Sequence, residues 1–299
     1  MELRDVEYFA IVAEHGNVRR ASEALELSPT AVSKSLRRLE ASMGAKLVKR
    51  TPKGVDLTDV GSALLARVHR LRLTLEDVQR EAADLSQGRM GHIRLGVGPH
   101  ATEAVRAAYV ALEKDAPNVT MEIYVSDRDV MHPMLRNGSL DLVVNHLGPI
   151  EPNVEQEFLG ESEYVVFASA SHPLARKKRV TLAELSRERW ALNSPQLRSR
   201  SWFHGAFEAK GLPPPHVVLE TRHHQLRFSI VASSRLLGFT SRRSVREAAG
   251  AYALAEIRAE GFPWLRRDGV IYRKDAYLSP AAKRFIEILK AAARIRHPQ

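Results

Sequence analysis

After Thr58, a helix-capping residue followed by the acidic Asp59, no proline interrupts the chain before Gly88. The apolar positions Leu64, Val68, Leu71, Leu75, Val78, Ala82 and Leu85 follow one another, after a first step of four, at spacings of three, four, three, four and three. That is the heptad seam of a coiled coil, narrower than the stripe of a helix lying on its own domain. At roughly 1.5 Å per residue the segment makes a rod of about 40 Å, long enough to hold the N-terminal residues apart from the C-terminal two thirds of the chain. The chain therefore reads as two bodies joined by a pairing helix at residues 59–88. Leu64, Val68, Leu71, Leu75, Val78 and Ala82 are its dimerisation residues.

Upstream of the rod, residues 1–58 read as a winged helix-turn-helix. Leu3, Val6, Phe9, Ala10 and Ala13 recur at helical spacing, and Val18 to Leu27 gives a second short helix with Ala21, Ala24 and Leu25 inward. A third helix begins at Ser28, a good N-cap, with Pro29 at the first helical position, where its missing N–H costs nothing. Val32, Leu36 and Leu39 give this helix a buried stripe, while Thr30, Ser33, Lys34, Arg37 and Arg38 lie on its other face. Those residue types hydrogen-bond phosphates and base edges from a recognition helix. Gly44 ends the helix, and a basic hairpin comes next, from Lys46 to Arg50 through the turn Thr51-Pro52-Lys53-Gly54 to Leu57. Between Lys34 and Lys53 seven Lys or Arg stand against one acid, Glu40, an excess of +6. A solvated charged face is the bland reading of any such run, but the helix-turn-helix around it favours DNA. Ser28, Pro29, Thr30, Ser33, Lys34, Arg37, Arg38, Arg50 and Lys53 are the candidate DNA-binding residues.

Several of these stretches fall in a familiar order: Phe9 to Ala13 as Phe-x-x-Val-Ala, Ala21-Ser22, Ser28-Pro29-Thr30-Ala31-Val32-Ser33, Leu39-Glu40, Gly44 to Arg50, and Leu57-Thr58 to Gly61. In this the chain resembles the LysR-type transcriptional regulators. Pro29, Val48 and Asn17 depart from that pattern, standing where the family has Gln, Phe and Ser. The resemblance implies a double-stranded DNA partner, a homodimer or homotetramer, and a two-lobed effector domain like a periplasmic binding protein whose C-terminal segment returns to the first lobe.

The remainder fits that expectation on its own pattern. Ser86-Gln87-Gly88-Arg89-Met90-Gly91 reads as a hinge, and from His92 apolar strand runs alternate with helical stretches, the signature of mostly parallel α/β lobes. Residues 91–299 are expected to form the effector-binding domain, with lobe one at about 91–162 and 268–299 and lobe two at about 163–267. Ligands of open α/β sheets sit at the carboxyl ends of strands. His100, Ala101 and Thr102 lie at one such end, before a helix whose free amides and dipole favour an anion. Asn145 and His146 end another strand, and His223 lies near the start of a lobe-two helix. The resemblance carries an effector role onto Thr102 and, across the cleft, onto Arg198, Ser199, Arg200, Ser201 and Trp202. A small, anionic effector, an organic acid, is expected.

Composition removes other classes. The chain has 299 residues, 44% hydrophobic, with no cysteine, hence no disulfide framework, thiolate nucleophile or thiolate metal site. No run is long and apolar enough for a membrane span, and MELRDVEYFA carries acids where a signal peptide would be basic, so no membrane partner and a cytoplasmic location are expected. The net charge of +10 favours polyanions. Residues 1–89 hold 15 basic and 13 acidic side chains, however, so the local excess is the informative part. Gly96-Val97-Gly98-Pro99-His100-Ala101 fits GxGxxA, which makes an NAD(P)-dependent dehydrogenase the alternative function. It is a weak match: Asp127, the nearest acid for a ribose, comes late, and Pro99 removes an amide. Twelve histidines, among them His100, His146, His204, His223 and His224, define no spaced ligand set, and GxSxG does not occur. No catalytic residue, metal or cofactor is expected.

Overall fold

The structure, a computed structural model, describes residues 2–52, 54–87, 91–193, 198–262 and 264–296, with side chains at all of these except 50, 84–87, 198–202 and 294–296. It divides into two compact units, Met1–Ala82 and Ala83–Gln299. No described helix is long and apolar enough to cross a membrane.

The first unit contains α1 (Leu3–His15), α2 (Val18–Ala24), α3 (Pro29–Met43), the hairpin β1 (Val48–Thr51) and β2 (Gly54–Leu57), and the start of α4 (Asp59–Gln87). Each boundary has a local cause. Asn17 caps α2 by accepting from the Arg19 and Arg20 amides, so the family's serine is replaced by a residue that does the same work. Ser28 accepts from the Ala31 amide, and Gly44 closes α3 in the left-handed conformation. Thr58 Oγ accepts from the Gly61 amide at 3.0 Å to open α4. Phe9, Ala10, Leu36, Leu39, Leu47 and Val68 form the core, with Val48, Leu57, Leu64 and Leu65 against it.

Two buried acids lock this core. Asp5 accepts from Ser35 Oγ at 2.6 Å and from Arg38 Nε at 2.8 Å, with a second Arg38 contact through Nη2. Arg38 outweighs the burial penalty, and with Ser35 it lowers the Asp5 carboxyl from 3.8 to about 2. Glu40 accepts from Lys46 Nζ at 2.7 Å and the Leu47 amide at 3.0 Å, joining α3 to the strand entering the wing. Because the folded pKa of Asp5 is depressed, its stabilisation is present above about pH 4 and is lost as pH falls towards 2. We expect Asp5→Asn to destabilise the full chain by about 1.5–3 kcal/mol at neutral pH, the range for hydrogen bonds to a charged group. Its unfolding curve should converge with the parent's between pH 4 and 2. A gap that persists at pH 2 would exclude the ionised carboxylate as the cause.

The second unit holds a nine-stranded sheet in the order β4-β3-β5-β11-β6-β9-β7-β8, with β10 also paired to β6. In its first lobe β3 (His92–Val97), β4 (Thr120–Val125) and β5 (Leu142–His146) are parallel. Helices α5 (Thr102–Asp115) and α11 (Pro280–Arg296) cover one face through Val105, Leu112, Phe285 and Leu289. Helix α6 (Arg128–Arg136) covers the other through Met131 and Leu135. Two long antiparallel strands, β6 (Val154–Ser169) and β11 (Trp264–Arg273), run through both lobes.

The second lobe adds β7 (Arg189–Leu192), β8 (His216–Glu220), β9 (Leu237–Ser241) and β10 (Leu254–Ile257). Helices α7 (Leu182–Leu185) and α8 (Arg198–Glu208) pack one face around Trp190, Phe203 and Phe207. Helices α9 (His224–Ala232) and α10 (Arg242–Ala248) pack the other around Phe167, Phe228 and Val231. The return of β11 and α11 to the first lobe closes its sheet.

Candidate functional site

On the first unit, α3 leaves Thr30, Lys34 and Arg37 exposed and Ser33 half-buried, beside the exposed helix start at Ser28 and Pro29. Arg38 is engaged internally by Asp5, which differs from its reading as a free groove contact. It anchors the recognition helix to α1. The Arg50 side chain and all of Lys53 lie outside the described residues. Along α4, Val68 is buried and Leu64 half-buried in the unit's own core, while Leu71, Leu75 and Val78 remain 42%, 45% and 56% exposed, and Ala82 is exposed. The seam thus splits: its first two residues hold the helix to its own unit, and the next four form an uncovered apolar row.

In the second unit a cavity of about 890 Å³ opens where the carboxyl ends of β3, β4, β5, β7 and β9 converge, floored by the crossover strands. His100, Asn145 and His146 line it, as expected from the sequence. Ala101 and Thr102 do not. A 3-10 turn, Pro99–Ala101, separates β3 from α5 and displaces the helix start from the strand end. His100 therefore takes the lining position, Ala101 joins the lobe-one core, and the exposed Thr102 hydroxyl donates to the Pro99 carbonyl. His223 is the exposed N-cap of α9, its Nδ1 accepting from the Leu226 amide at 3.1 Å, and the next residue, His224, lines the cavity. The side chains of Arg198, Ser199, Arg200, Ser201 and Trp202 lie outside the described residues.

The glycines of the GxGxxA stretch have packing reasons. A Cβ on Gly96 would meet Leu140 Cδ1 at 2.8 Å and Met131 Sδ at 2.9 Å, and one on Gly98 would meet His100 Cε1 at 2.6 Å and Asn145 Oδ1 at 2.8 Å. They let α6 and the cleft residues approach the sheet, which removes the reason to read them as a dinucleotide cradle.

Sequence reasoning missed the crossover residues. The β6–β11 register shifts between Asp268 and Gly269, a bulge that re-aims Asp268. Asp268 then meets His146 Nδ1 at 2.5 Å and His100 Nε2 at 3.2 Å, and accepts from Ser162 Oγ. His146 Nε2 meets Tyr164 OH at 2.6 Å, and the two imidazoles stack at 3.7 Å, 7° from parallel. Burial opposes ionisation of Asp268, but the two histidines outweigh it and hold its carboxyl well below the usual range. Burial, with His100 beside it, holds His146 neutral.

The cavity's charges are unevenly matched. Glu151 is taken up by Arg128 and His132, at 3.2 and 3.0 Å. Asp129 is held by Arg222 at 2.8 Å, a tie from α6 to the segment before α9. Burial and Asp129 raise the pKa of Asp127, while Arg222 and Arg227 act in the opposite direction. Arg266 and Arg267 lie over the Tyr164 and Phe158 rings and, among the described residues, have no carboxylate partner. Immediately behind His224, fully buried Arg227 makes a hydrogen-bond contact through Nη2 to His224 Nδ1 at 3.1 Å, and among the described residues its Nε and Nη1 have no hydrogen-bond partner.

The sequence matches the family described as LysR substrate binding domain over residues 86–294, and that described as bacterial regulatory helix-turn-helix protein, lysR family, over residues 3–62. The chain belongs to the LysR family of transcriptional regulators. One relative of this LysR-family chain is the RuBisCO operon transcriptional regulator of Allochromatium vinosum, 28% identical over 99% of this chain and 98% of that one. Full-length CbnR complexed with its target DNA has the same fold, with a TM-score of 0.64 at 19% identity, covering 98% and 100% of the two chains. The regulatory domain of Synechocystis PCC6803 CcmR in complex with 2-PG matches with a TM-score of 0.63 at 19% identity, over 68% of this chain and 97% of that domain. The winged helix-turn-helix and two-lobed α/β architecture expected from the sequence is the architecture of this family.

Proposed function

We propose that this LysR-family regulator, acting in the cytoplasm, binds an interrupted inverted repeat as a homodimer, or as a homotetramer of two such dimers, and responds to a small organic anion held in the second unit's cleft. The uncovered row Leu71, Leu75, Val78 and Ala82 supports pairing through α4, and two-fold pairing of heads implies two half-sites. Thr30, Ser33, Lys34 and Arg37 contact bases or flanking phosphates, with Arg50 and Lys53 of the wing alongside. The observation that carries the effector class is the surplus of unmatched guanidinium groups, Arg227, Arg266 and Arg267, around a cavity whose acids are already engaged. CcmR in complex with 2-PG, a small acid in the same fold, points the same way. No reaction is assigned to the cleft.

Sequencing genomic DNA recovered on the purified protein, then footprinting, should give two half-sites. Lys34→Ala should weaken binding at every sequence and reduce the log-log salt slope by about one. Leu71→Asp, which places a charge in the pairing row, should dissociate the oligomer in sedimentation. For the effector, thermal stability is followed against small organic acids and their neutral amides. Acids should stabilise the parent and lose at least about tenfold in affinity in Arg266→Ala. Amides binding as well as acids would overturn the anion assignment, and an intact Leu71→Asp oligomer would overturn pairing through α4.

A further inference from the structure

The His100, His146 and Asp268 constellation does more than line a cavity. One ligand atom from each residue lies within 4.8 Å of the other two. The three come from chain segments far apart: the turn after β3, the last residue of β5, and the bulge of β11. No sequence spacing could have announced them. Both histidine side chains are more than nine-tenths buried, at 5% and 7% exposure, yet both line the cavity.

We propose that His100, His146 and Asp268 bind a divalent first-row transition-metal ion at the floor of the cleft. Three observations carry this. First, the donors are two imidazoles and one carboxylate, which suits zinc, iron, cobalt or nickel and disfavours magnesium and calcium, ions that take oxygen ligands. Second, His100 Nε2 faces Asp268 Oδ1 at 3.2 Å without hydrogen-bond geometry and has no other partner among the described residues. Metal–nitrogen and metal–oxygen bonds of about 2.0–2.2 Å place neighbouring donor atoms at about this separation, so a cation shared by the two atoms satisfies both. Third, the outer groups are in place. Tyr164 OH holds the far nitrogen of His146 at 2.6 Å, and Ser162 Oγ donates to the second oxygen of Asp268. Such contacts fix ring and carboxylate orientation around a bound metal. The rings stack 3.7 Å apart and 7° from parallel, so ligation by both requires one imidazole to turn until the two in-plane lone pairs meet at one ion.

Entry of the ion replaces the 2.5 Å contact between His146 and Asp268, so the carboxylate must draw back by about 1 Å to reach metal-ligand spacing. Three protein ligands leave a tetrahedral ion one position, on the cavity side, for water or an anionic ligand. The proposal does not depend on the identity of the effector.

The test uses the full-length protein after removal of metals by chelator, with zinc as the calorimetric probe and cobalt as the spectroscopic one. One equivalent of zinc per chain should bind, and cobalt should show the visible absorption of a low-coordinate nitrogen/oxygen site. His100→Gln and Asp268→Asn should each weaken zinc at least thirtyfold, and Tyr164→Phe by tenfold or more. His223→Gln and Thr102→Ala, both outside the constellation, should bind as the parent does. Copper resonance spectra of the parent should show two imidazole nitrogens on one ion, a readout that stands if a variant fails to fold. Absence of a stoichiometric zinc site, unchanged binding in His100→Gln, or one nitrogen only on copper would each overturn the proposal. Because this assay contains no organic acid, its failure leaves the anion-effector test separate.

Discussion

Gly61→Ala is expected to destabilise the DNA-binding unit by about 3 kcal/mol and to abolish operator binding, although alanine is the better helix former. In an open helix interior the change would favour the folded state by up to about 1 kcal/mol. Here a Cβ would stand 2.0 Å from the Leu47 carbonyl oxygen and 3.0 Å from its carbon. Those are backbone atoms that cannot rotate away. The same oxygen accepts from the Thr58 amide at 3.0 Å, and Leu47 is fully buried. Helix α4 must therefore lift from the strand that enters the wing, and overpacking of this kind costs typically 1–3 kcal/mol and occasionally more. Gly205→Ala on α8 is the matched control, because none of the described residues lies within 4 Å of its added Cβ. Chemical denaturation of the two variants decides the sign. Stabilisation by both would show that α4 does not press on Leu47.

That contact shows what a sequence can and cannot disclose. Gly61 was visible as the end of a Leu-Thr-x-x-Gly pattern, but its reason is a close approach between residues 14 positions apart. The first unit was legible in detail because its boundaries are set locally: Asn17, Ser28 and Thr58 cap the helices they precede, and Gly44 ends one. The lobes were legible as alternation, with two omissions. Helix α10 has a single apolar core residue, Val245, in a run of arginines, and its cap is the Ser241 hydroxyl accepting from the Ser244 amide at 3.1 Å. Strand β10 has only four residues and pairs with β6. The cleft was the least legible part. Strand ends could be read, giving His100, Asn145 and His146, whereas Asp268, Tyr164 and Arg266 reach the cavity only because two long strands cross both lobes. Thr102 was misplaced by one 3-10 turn, which adds three residues between strand and helix.

Arg227→Met should leave the protein without effector as stable as the parent, or stabilise it by about 1–4 kcal/mol, while removing its response to organic acids. The expectation comes from a charge in the wrong company. Arg227 is fully buried, and burial lowers its pKa to about 10, so it remains a cation at neutral pH. Among the described residues, Nη2 alone of its nitrogens has a hydrogen-bond partner, His224, whose own pKa burial depresses to about 2 so that it stays neutral. The Tyr164 hydroxyl gives no balancing charge either, since burial raises its pKa, and Asp127 favours the cation only through space, without a hydrogen bond to it. A buried cation without a hydrogen-bonded acid costs several kcal/mol, and replacing buried ionic groups by apolar residues of similar volume is often neutral or stabilising. Methionine fills a comparable space with an adaptable side chain. The same guanidinium, poised behind the His224 wall, is what an entering carboxylate or phosphate would satisfy, so the apo-state cost returns as binding free energy. Paired thermal melts with and without the acids identified in the panel separate the two effects. Destabilisation of the variant by more than about 2 kcal/mol would mean that Arg227 is satisfied within the fold, and an undiminished shift with acids would remove it from effector recognition.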